Sequence, residues 1–511
     1  MKEILFMTVD LGTSFIKAGV YDTEGKCIIN ASEPVKDERP GPGIFIQRGE
    51  ELFGSVLRCI KKGTDALGER ALNVEAMAFT GQMAGFMAVD KDWNDVTTWS
   101  CSVDTRYTPY ADRQMKNFAN DFLEISGTNA PQMCSKLEWF CHDFPQDSKR
   151  IAKCVMISGY VLGKLGHLPI EEACIDGSLI AWSGMADIRK AQWSDILCEK
   201  LGVDKKLLPK IVDSSTVAGT LCEEMANVTG LKAGIPLVAG AGDKVAGCVG
   251  AGILDIGDMI FEAGSYGGFS CMVENYRPDR EEHYFDGIIG PAMDKMYAHK
   301  YISGSGISLD WFAEKFAVSK NKKEAFAELE NLASEVPVGS EGLMAIGLMG
   351  GSSMPYNGDV RGLWMGHNWA HGKGHFYRSL LESFSYDLAL TIDRVKAKYA
   401  EYDLNTIKII GGGAKSEFWT QMLADVTGCT FERLDREDIA LWGAAILAGK
   451  GIGVFSDMKE KAQKHVNVRK SFFPDMEKHE IYCKHKELYR QFVKELQPYY
   501  IRLAEVSKQE I

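Results

Sequence analysis

Two β-hairpins with glycine- and hydroxyl-rich tips constrain this chain more than any other feature of its sequence. The first hairpin spans residues 4–21 and turns at Asp10-Leu11-Gly12-Thr13-Ser14. The second spans residues 258–273 and turns at Gly264-Ser265-Tyr266-Gly267-Gly268. A glycine in such a tip lets backbone N–H groups approach phosphate oxygens, and the hydroxyl groups add donors. Because a strand follows each tip, the pattern is neither a Walker A loop nor a Rossmann fingerprint, in which a helix follows. It favours ATPases that clamp phosphates between two hairpins.

The chain is too long for one hydrophobic core. Its 511 residues exceed the ~250–300 residues at which single cores stop growing. We expect two domains, residues 1–252 and 253–455, and a helical tail over residues 456–511 that packs on the second domain. Each domain opens with one of the hairpins, which is a weak internal repeat of form rather than of sequence.

Hydrophobic periodicity predicts an α/β fold. Apolar runs read as strands, and apolar residues at i, i+3 and i+4 spacing read as helices. Besides the hairpins, we predict strands at residues 74–80, 86–89, 235–239 and 406–410, and helices at residues 50–67, 308–317, 375–399, 416–427, 437–450 and 476–508.

Composition excludes several classes of partner. The net charge is −12 and no block of Lys or Arg stands out, so neither nucleic acid nor an anionic membrane is expected to bind. No apolar run approaches the ~18 residues of a membrane span. The 13 cysteines are scattered without CxxC pairs, which fits reduced thiols in a cytoplasmic protein. The first residues do not read as a signal peptide.

The first hairpin tip carries the groups of a magnesium–phosphate site. The Asp10 carboxylate can hold Mg²⁺, often through water. Gly12, Thr13 and Ser14 offer backbone and hydroxyl donors, and Lys17 on the next strand can reach a β- or γ-phosphate as a point charge. The alternative is an ordinary hairpin turn built from common turn residues.

Asp243 is the candidate general base. It follows Gly240-Ala241-Gly242 at the end of a strand, where small neighbours let a substrate approach and a carboxylate can take the proton of an attacking hydroxyl. An Asx turn or a helix N-cap is the alternative. Gly264 and Ser265 form the candidate second phosphate clamp, for which a flexible hairpin is the alternative.

A third glycine cluster follows a strand and precedes a helix. Gly411, Gly412 and Gly413, followed by Ala414, leave room for a flat ring, and Ser416 can cap the helix. This suits an adenine or ribose site, and a plain loop between strand and helix is the alternative.

Taken together, these residues resemble the FGGY family of carbohydrate kinases. The resemblance runs over roughly residues 3–450 and keeps several motifs in order. The matching segments are Asp10-Leu11-Gly12-Thr13-Ser14, Lys136-Leu137-Glu138-Trp139-Phe140, Gly240–Asp243, Gly362–Gly366 with His375–Glu382, and Gly411–Ser416 with Ala424–Gly428 and Gly443-Ala444-Ala445.

The resemblance implies two actin-like, ribonuclease-H-like domains that flank a central cleft. The N-terminal domain is expected to bind the sugar and the C-terminal domain ATP, with closure around both substrates. In the family, the aspartate that matches Asp243 is the base, and the one that matches Asp10 serves the magnesium–phosphate site. We also expect Asp243 to face the metal. A homodimer is common in the family.

The sugar-side residues are expected from the same resemblance. Gln82-Met83 is similar to a xylulokinase segment, although Ala84 replaces its histidine. Asp104-Thr105-Arg106 resembles a Trp-x-Asp-x-Arg segment, for which Trp99 can supply the tryptophan. Lys244 stands where pentulose and glycerol kinases carry Asn or Gln, and it could contact the sugar or pair with a carboxylate and depress the pKa of Asp243.

We therefore expect ATP-dependent phosphorylation of a small sugar, with a ketopentose such as xylulose as substrate and Mg²⁺ as cofactor. The alternatives are a kinase of another polyol or ketose (glycerol, ribulose or a gluconate-like substrate), an actin-like ATPase without a sugar acceptor, or a non-catalytic sugar sensor.

Overall fold

The computed structural model describes residues 3–508 as two α/β halves. The strands of the first half are β1 (Leu5–Leu11), β2 (Phe15–Asp22), β3 (Cys27–Pro34), β4 (Val74–Gly81), β5 (Gly85–Val89), β6 (Ser100–Cys101), β7 (Lys153–Val155), β8 (Cys174–Asp176), β9 (Ala186–Asp187), β10 (Gln192–Trp193), β11 (Lys210–Val212), β12 (Val217–Thr220) and β13 (Pro236–Gly242). Its helices are α1 (Gly49–Leu67), α2 (Thr108–Asp121), α3 (Met133–Asp143), α4 (Ile157–Gly166), α5 (Asp195–Leu201), α6 (Glu223–Thr229) and α7 (Asp243–Gly250).

The second half follows directly. Its strands are β14 (Met259–Glu262), β15 (Gly267–Val273), β16 (Asp286–Ile289), β17 (Met296–Ile302), β18 (Met344–Ile346), β19 (Ser352–Ser353), β20 (Tyr356–Asn357), β21 (Leu363–Met365), β22 (Thr406–Ile410), β23 (Thr430–Leu434) and β24 (Val468–Phe472). Its helices are α8 (Ser305–Phe316), α9 (Lys322–Ser334), α10 (Lys373–Lys398), α11 (Glu417–Thr427), α12 (Ile439–Gly451), α13 (Met458–Gln463), α14 (Met476–Glu495) and α15 (Gln497–Lys508).

The two main sheets share one arrangement around their hairpins. The first sheet has the order β12-β13-β4-β1-β2-β3, and the second has the order β16-β17-β15-β14-β22-β23-β24. In each, the first hairpin strand pairs antiparallel with the second and parallel with a later strand, β4 in one half and β22 in the other. β1 is buried almost throughout, as expected for an apolar run between two parallel or antiparallel neighbours. The repeat of form seen in the sequence is thus a repeat of topology.

Two helices cross closely where the halves meet. A Cβ atom on Gly250 of α7 would lie 2.1 Å from the carbonyl oxygen of Ile439, and one on Gly443 of α12 would lie 1.9 Å from that of Ala246. Only glycine leaves room for backbones at this separation. The crossing fixes α7, whose first residue is Asp243, against the second half.

A second junction is built on a buried carboxylate. Asp286 of β16 accepts hydrogen bonds from the Thr128 hydroxyl (3.0 Å), the Asn129 backbone N–H (2.9 Å) and the Trp182 indole N–H (2.9 Å), all in the first half. Burial raises the pKa of Asp286 to about 6. A buried acceptor with this many donors ties the two halves at one defined point.

Three details of the sequence-based expectation differ from the structure. No strand was predicted between residues 108 and 234, but this region holds the short strands β7 to β12. The tail is not wholly helical, because β24 extends the second sheet beside β23. The expected helix over residues 476–508 breaks at Leu496.

Candidate active site

Three parallel strands bring the sugar-side candidates to one sheet edge. β1, β4 and β13 are parallel neighbours, so their carboxyl ends lie together. Asp10 lies near the end of β1, Gln82 directly follows β4, and Asp243 directly follows β13 and begins α7. Carboxyl ends of parallel strands are where α/β proteins place ligands.

Asp10 sits in a charged and mostly buried setting. It pairs in register with Lys17 on β2 and Thr80 on β4. Burial, and then the negative charge of Asp243, raise the pKa of Asp10 to about 6. Glu262 of the second half also acts on it, so carboxylates from both halves converge here.

Asp243 has an unused acceptor atom. Its Oδ1 is buried and has no hydrogen-bond partner. Burial raises the pKa of Asp243, the positive charge of Lys244 lowers it, and the negative charge of Glu262 raises it. A buried carboxylate oxygen without a donor is costly to maintain, so it marks a place where a ligand is expected.

A relay of hydroxyl groups holds the start of α7. The backbone N–H of Gly242 donates to the Ser178 Oγ (2.9 Å), and the Ser178 hydroxyl donates to Asp176 (2.5 Å). Asp176 also accepts from the Ser214 hydroxyl (3.3 Å). Burial raises the pKa of Asp176 to about 7. These contacts fix the backbone immediately before Asp243.

Lys244 bridges the two halves. Its Nζ lies 2.5 Å from an oxygen of Glu262 at the end of β14 and 5.9 Å from the centre of the Tyr301 ring. Although burial opposes the charge, Glu262 and Asp243 raise the pKa of Lys244 above its ordinary value. Of the two roles offered for Lys244, the structure shows pairing with a carboxylate, but the pKa of Asp243 is raised overall rather than depressed. The glutamate partner was not predicted. A glutamate in the apolar run just before a glycine tip was the available signal.

Both hairpin tips are held by backbone contacts. A Cβ atom on Gly12 would lie 2.6 Å from the carbonyl oxygen of Phe15, so the first turn needs glycine there. The Thr13 carbonyl accepts from the Gln47 side chain (2.8 Å), and the Ser265 carbonyl accepts from the Ile307 N–H (3.3 Å). The side chains of Ser14 and Lys17 are exposed.

The third glycine cluster joins the second hairpin. The Gly413 N–H donates to the carbonyl of Ala263 (2.9 Å), and Gly411 has a φ of 90°, which favours glycine. The Ser416 side chain caps α11 by accepting from the Trp419 N–H (3.0 Å), as the sequence predicted. Ala414 is buried, whereas Gly411 and Gly412 are exposed.

The remaining residues expected on the sugar side are buried or bound to other side chains. Met83 is buried against Gly242, and Trp99 is completely buried while its indole N–H donates to the Gln82 Oε1 (3.3 Å). The Asp104 carboxylate accepts two hydrogen bonds from Arg106, one from its Nε (2.9 Å) and one from its Nη2 (2.7 Å). The side chains of Met83 and Trp99 are therefore buried, and the Asp104 carboxylate is occupied by Arg106.

Lys136, the first residue of one segment that resembles the family, is a buried lysine. The Lys136 Nζ donates to the Ser100 hydroxyl (2.9 Å) and the Cys101 carbonyl (2.7 Å), and burial lowers its pKa to about 7. The Ser100 hydroxyl in turn donates to Asp104 (2.7 Å). This network fixes the Asp104–Arg106 segment from below.

Comparison with known proteins decides the family. The sequence profile described as "FGGY family of carbohydrate kinases, N-terminal domain" matches residues 5–250, and the profile of the C-terminal domain of that family matches residues 265–452. The chain belongs to the FGGY family of carbohydrate kinases. It is an ATP-dependent carbohydrate kinase whose substrates are a sugar and ATP.

Individual relatives agree in length with this FGGY kinase. It is 26% identical over 492 residues to a xylulose kinase of Bacillus subtilis, covering 94% of this chain and 95% of that one. It is 25% identical over 532 residues to an autoinducer-2 kinase of Klebsiella pneumoniae, covering 97% and 93%. The crystal structure of a gluconate kinase from Lactobacillus acidophilus superposes with a TM-score of 0.89 at 20% identity, over 98% of this chain and all of that one. The fold is thus a pair of actin-like domains.

The residues present also fit a magnesium ion. Mg²⁺ takes oxygen ligands and is held by one or two carboxylates together with substrate phosphates and water. Asp10 and Asp243 supply two carboxylates beside the tip of the first hairpin, and one of them has an unpartnered oxygen. Across residues 3–508 no cluster of three or more His, Cys, Asp or Glu side chains is arranged to hold a metal by itself. In the same residues, no helix is both long and apolar enough to cross a membrane.

Proposed function

We propose that this FGGY kinase phosphorylates a hydroxyl group of an uncharged ketose, with a ketopentose such as xylulose as the first candidate. The observation that carries the proposal is the Asp243 carboxylate, which is buried, has a raised pKa and keeps one oxygen without a partner. An acceptor hydroxyl would donate to this oxygen, as phosphoryl transfer requires.

In the proposed reaction, the ketose hydroxyl loses its proton to Asp243. Its oxygen then forms a bond to the γ-phosphorus of ATP, and the bond from that phosphorus to the β–γ bridging oxygen breaks. The negative charge that develops on the phosphoryl oxygens is met by the backbone N–H groups of Gly12 and Gly264 and by the hydroxyls of Thr13 and Ser265. ADP leaves with the electron pair of the broken bond.

Asp10 and Asp243 would hold the magnesium ion, Asp10 mainly through water. A bound Mg²⁺ neutralises phosphate charge and orients the phosphates. Lys17, which projects from β2 beside Asp10, would contact a β- or γ-phosphate.

The C-terminal domain would bind the nucleoside of ATP. The exposed backbone of Gly411 and Gly412, with Gly413, Ala414 and Ser416 behind it, lies beside the second hairpin tip because Gly413 is bonded to Ala263. We propose that the boundary between the domains follows residue 252, shortly after α7 ends at Gly250.

An uncharged acceptor is favoured over an anionic one. Asp10, Asp243 and Glu262 are negative, and Lys244 is already paired with Glu262. An aldonate carboxylate would add like charge to this set, and like charges at short range repel. Gln82, beside the same edge, is neutral. The relation to xylulose kinases supports the ketopentose, and the relation to autoinducer-2 kinases keeps other small hydroxylated substrates in the test.

A coupled assay of ADP release over ketopentoses, hexuloses, polyols and aldonates tests the proposal. We expect the highest kcat/KM with a ketopentose and the lowest with aldonates, and no ADP release without magnesium. An aldonate preferred over every neutral sugar would contradict the charge argument. Sugar binding without turnover would instead support the sensor alternative.

A further inference from the structure

Two glutamine side chains beside the proposed sugar site have hydrogen-bonding atoms that no protein group satisfies. Gln47 lies in the segment before α1 and is completely buried, and Gln82 directly follows β4. The Gln47 Oε1 and the Gln82 Nε2 are both buried without partners. Buried polar atoms are nearly always paired, so two unpaired ones on residues that share Trp99 as a neighbour indicate a missing partner.

The orientation of both amides is fixed by their other contacts. The Gln47 amide faces the Thr13 carbonyl (2.8 Å), which can only accept, so its nitrogen must be the atom on that side. The Gln82 amide faces the Trp99 indole N–H (3.3 Å), which can only donate, so its oxygen must be on that side. The free atoms are therefore one acceptor on Gln47 and one donor on Gln82.

Trp99 contacts both glutamines. Its backbone N–H donates to the backbone carbonyl of Gln47 (2.8 Å), while its indole N–H donates to the side-chain oxygen of Gln82 (3.3 Å). The Gln82 backbone N–H donates to the carbonyl of Leu11, at the base of the first phosphate hairpin (3.3 Å). The pair thus adjoins both the hairpin and the strand edge that carries Asp243.

We propose that Gln47 and Gln82 bind a hydroxyl group of the sugar other than the one that is phosphorylated. The proposal rests on the proposed sugar kinase function; it adds Gln47 as a specificity-determining residue and gives Gln82, already expected on the sugar side, a specific partner. A hydroxyl group both donates and accepts, so it satisfies the Gln47 oxygen and the Gln82 nitrogen together. Because Gln47 also holds the Thr13 carbonyl, sugar bound here is linked to the phosphate hairpin by one side chain.

Monodeoxy analogues of the preferred sugar test this inference on the unmodified enzyme. A site built to hydrogen-bond a hydroxyl rejects an analogue without it by large factors, and we expect a loss in kcat/KM of about 100-fold or more for one particular deoxy position. Gln47→Met and Gln82→Met should each raise the KM for the parent sugar at least tenfold and leave the KM for ATP within twofold. For the same deoxy analogue, each substitution should cost little further.

Gln114→Met is the matched control. Gln114 is also a buried glutamine of the first half, but its oxygen accepts from the Ser135 hydroxyl (2.7 Å) and its nitrogen donates to Glu138 (2.7 Å). This variant should lose stability without a change in the KM for sugar.

Calorimetric binding of the sugar to the wild-type protein separates failure of this inference from failure of the proposed function. If the wild-type protein binds and phosphorylates the sugar but no deoxy position loses more than threefold, the inference is wrong. Unchanged sugar affinity in folded Gln47→Met and Gln82→Met would also overturn it and would assign the free atoms to a bound water. Sugar binding without ATP turnover would overturn the proposed kinase reaction but would still agree with binding of a sugar hydroxyl by Gln47 and Gln82.

Discussion

The two sides of the reaction centre carry different kinds of polar group. On the proposed sugar side, Gln82 is a neutral amide bound to the buried Trp99, and Gln47 is a neutral amide bound to the Thr13 carbonyl. At the junction of the domains, Asp10, Asp243 and the Lys244–Glu262 pair bring four charges together. Neutral hydrogen-bonding groups select a hydroxyl pattern without attracting ions, whereas charges act most strongly on the charge that develops during transfer. Substitutions on the first side should change KM, and those on the second should change kcat and its pH dependence.

The largest effect is expected at the base. Asp243→Ala removes the proton acceptor, and general-base catalysis contributes about 10²–10⁴-fold, so kcat should fall by about 10³-fold or more. The KM for sugar should change much less. Thermal stability should stay the same or rise, because the unpartnered buried carboxylate is lost. Steady-state kinetics and calorimetric unfolding measure both quantities.

Asp65→Ala, at an exposed position of α1, serves as the control and should leave kcat unchanged. If Asp243→Ala keeps more than a tenth of the wild-type kcat, Asp243 is not the base, and the charged groups around it do not determine kcat through proton transfer.

A sharper test removes the charge of each partner of the Lys244–Glu262 ion pair in turn. Lys244→Met and Glu262→Gln both remove the contact between domains, but they change the charge beside Asp243 in opposite directions. Lys244 lowers the pKa of Asp243 and Glu262 raises it. Asp243 must be ionised to accept a proton, so activity is lost as the pH falls through its pKa. The acidic limb of the kcat/KM profile should therefore move to higher pH in Lys244→Met and to lower pH in Glu262→Gln, each by about one unit.

The double variant Lys244→Met with Glu262→Gln is the control for this pair. Its net charge matches that of the intact ion pair, so its acidic limb should return toward the wild-type position. If both single variants shift the limb in the same direction, the pair acts only as a mechanical tie between the domains.

The sequence revealed the charged side of the site better than the neutral side. Asp10 lies near the end of an apolar strand, two residues before Gly12, and Asp243 directly follows Gly242 at the end of another, which is a local pattern that can be read directly. Glu262 also lies in such a position, but its meaning depends on Lys244, which is distant in the chain and meets it only through the packing of α7 on the second domain. Gln47 is the extreme case. It lies in an irregular segment, and its free oxygen becomes apparent only once Thr13 and Trp99 are seen around it.

The fold shows the same limit. The long helix α1 was predicted within one residue of its observed bounds, and the apolar strand β22 was predicted at its observed bounds. The short strands β7 to β12 have two to four residues each, too few to establish a period, and their pairing depends on distant partners. The break at Leu496 is different, because it does have a local signal: Pro498 lies two residues further on, in the first turn of α15, where proline is tolerated but cannot continue the helix before it. The helix expected over residues 476–508 overlooked it.

The smallest effect is expected from the hydroxyl relay beneath the base. Ser178→Ala removes the acceptor of the Gly242 N–H and a donor to Asp176 but touches no substrate in the proposed site. We expect kcat to fall about three- to tenfold through misplacement of Asp243, with both KM values unchanged and a stability loss of about 1 kcal/mol. Ser126→Ala is the matched control, because that buried hydroxyl donates to the Ala181 carbonyl (2.7 Å) in the same domain and lies outside the relay. If both variants lose the same stability but only Ser178→Ala loses kcat, the relay positions the base. If the two variants have equal kcat, the relay contributes only to packing.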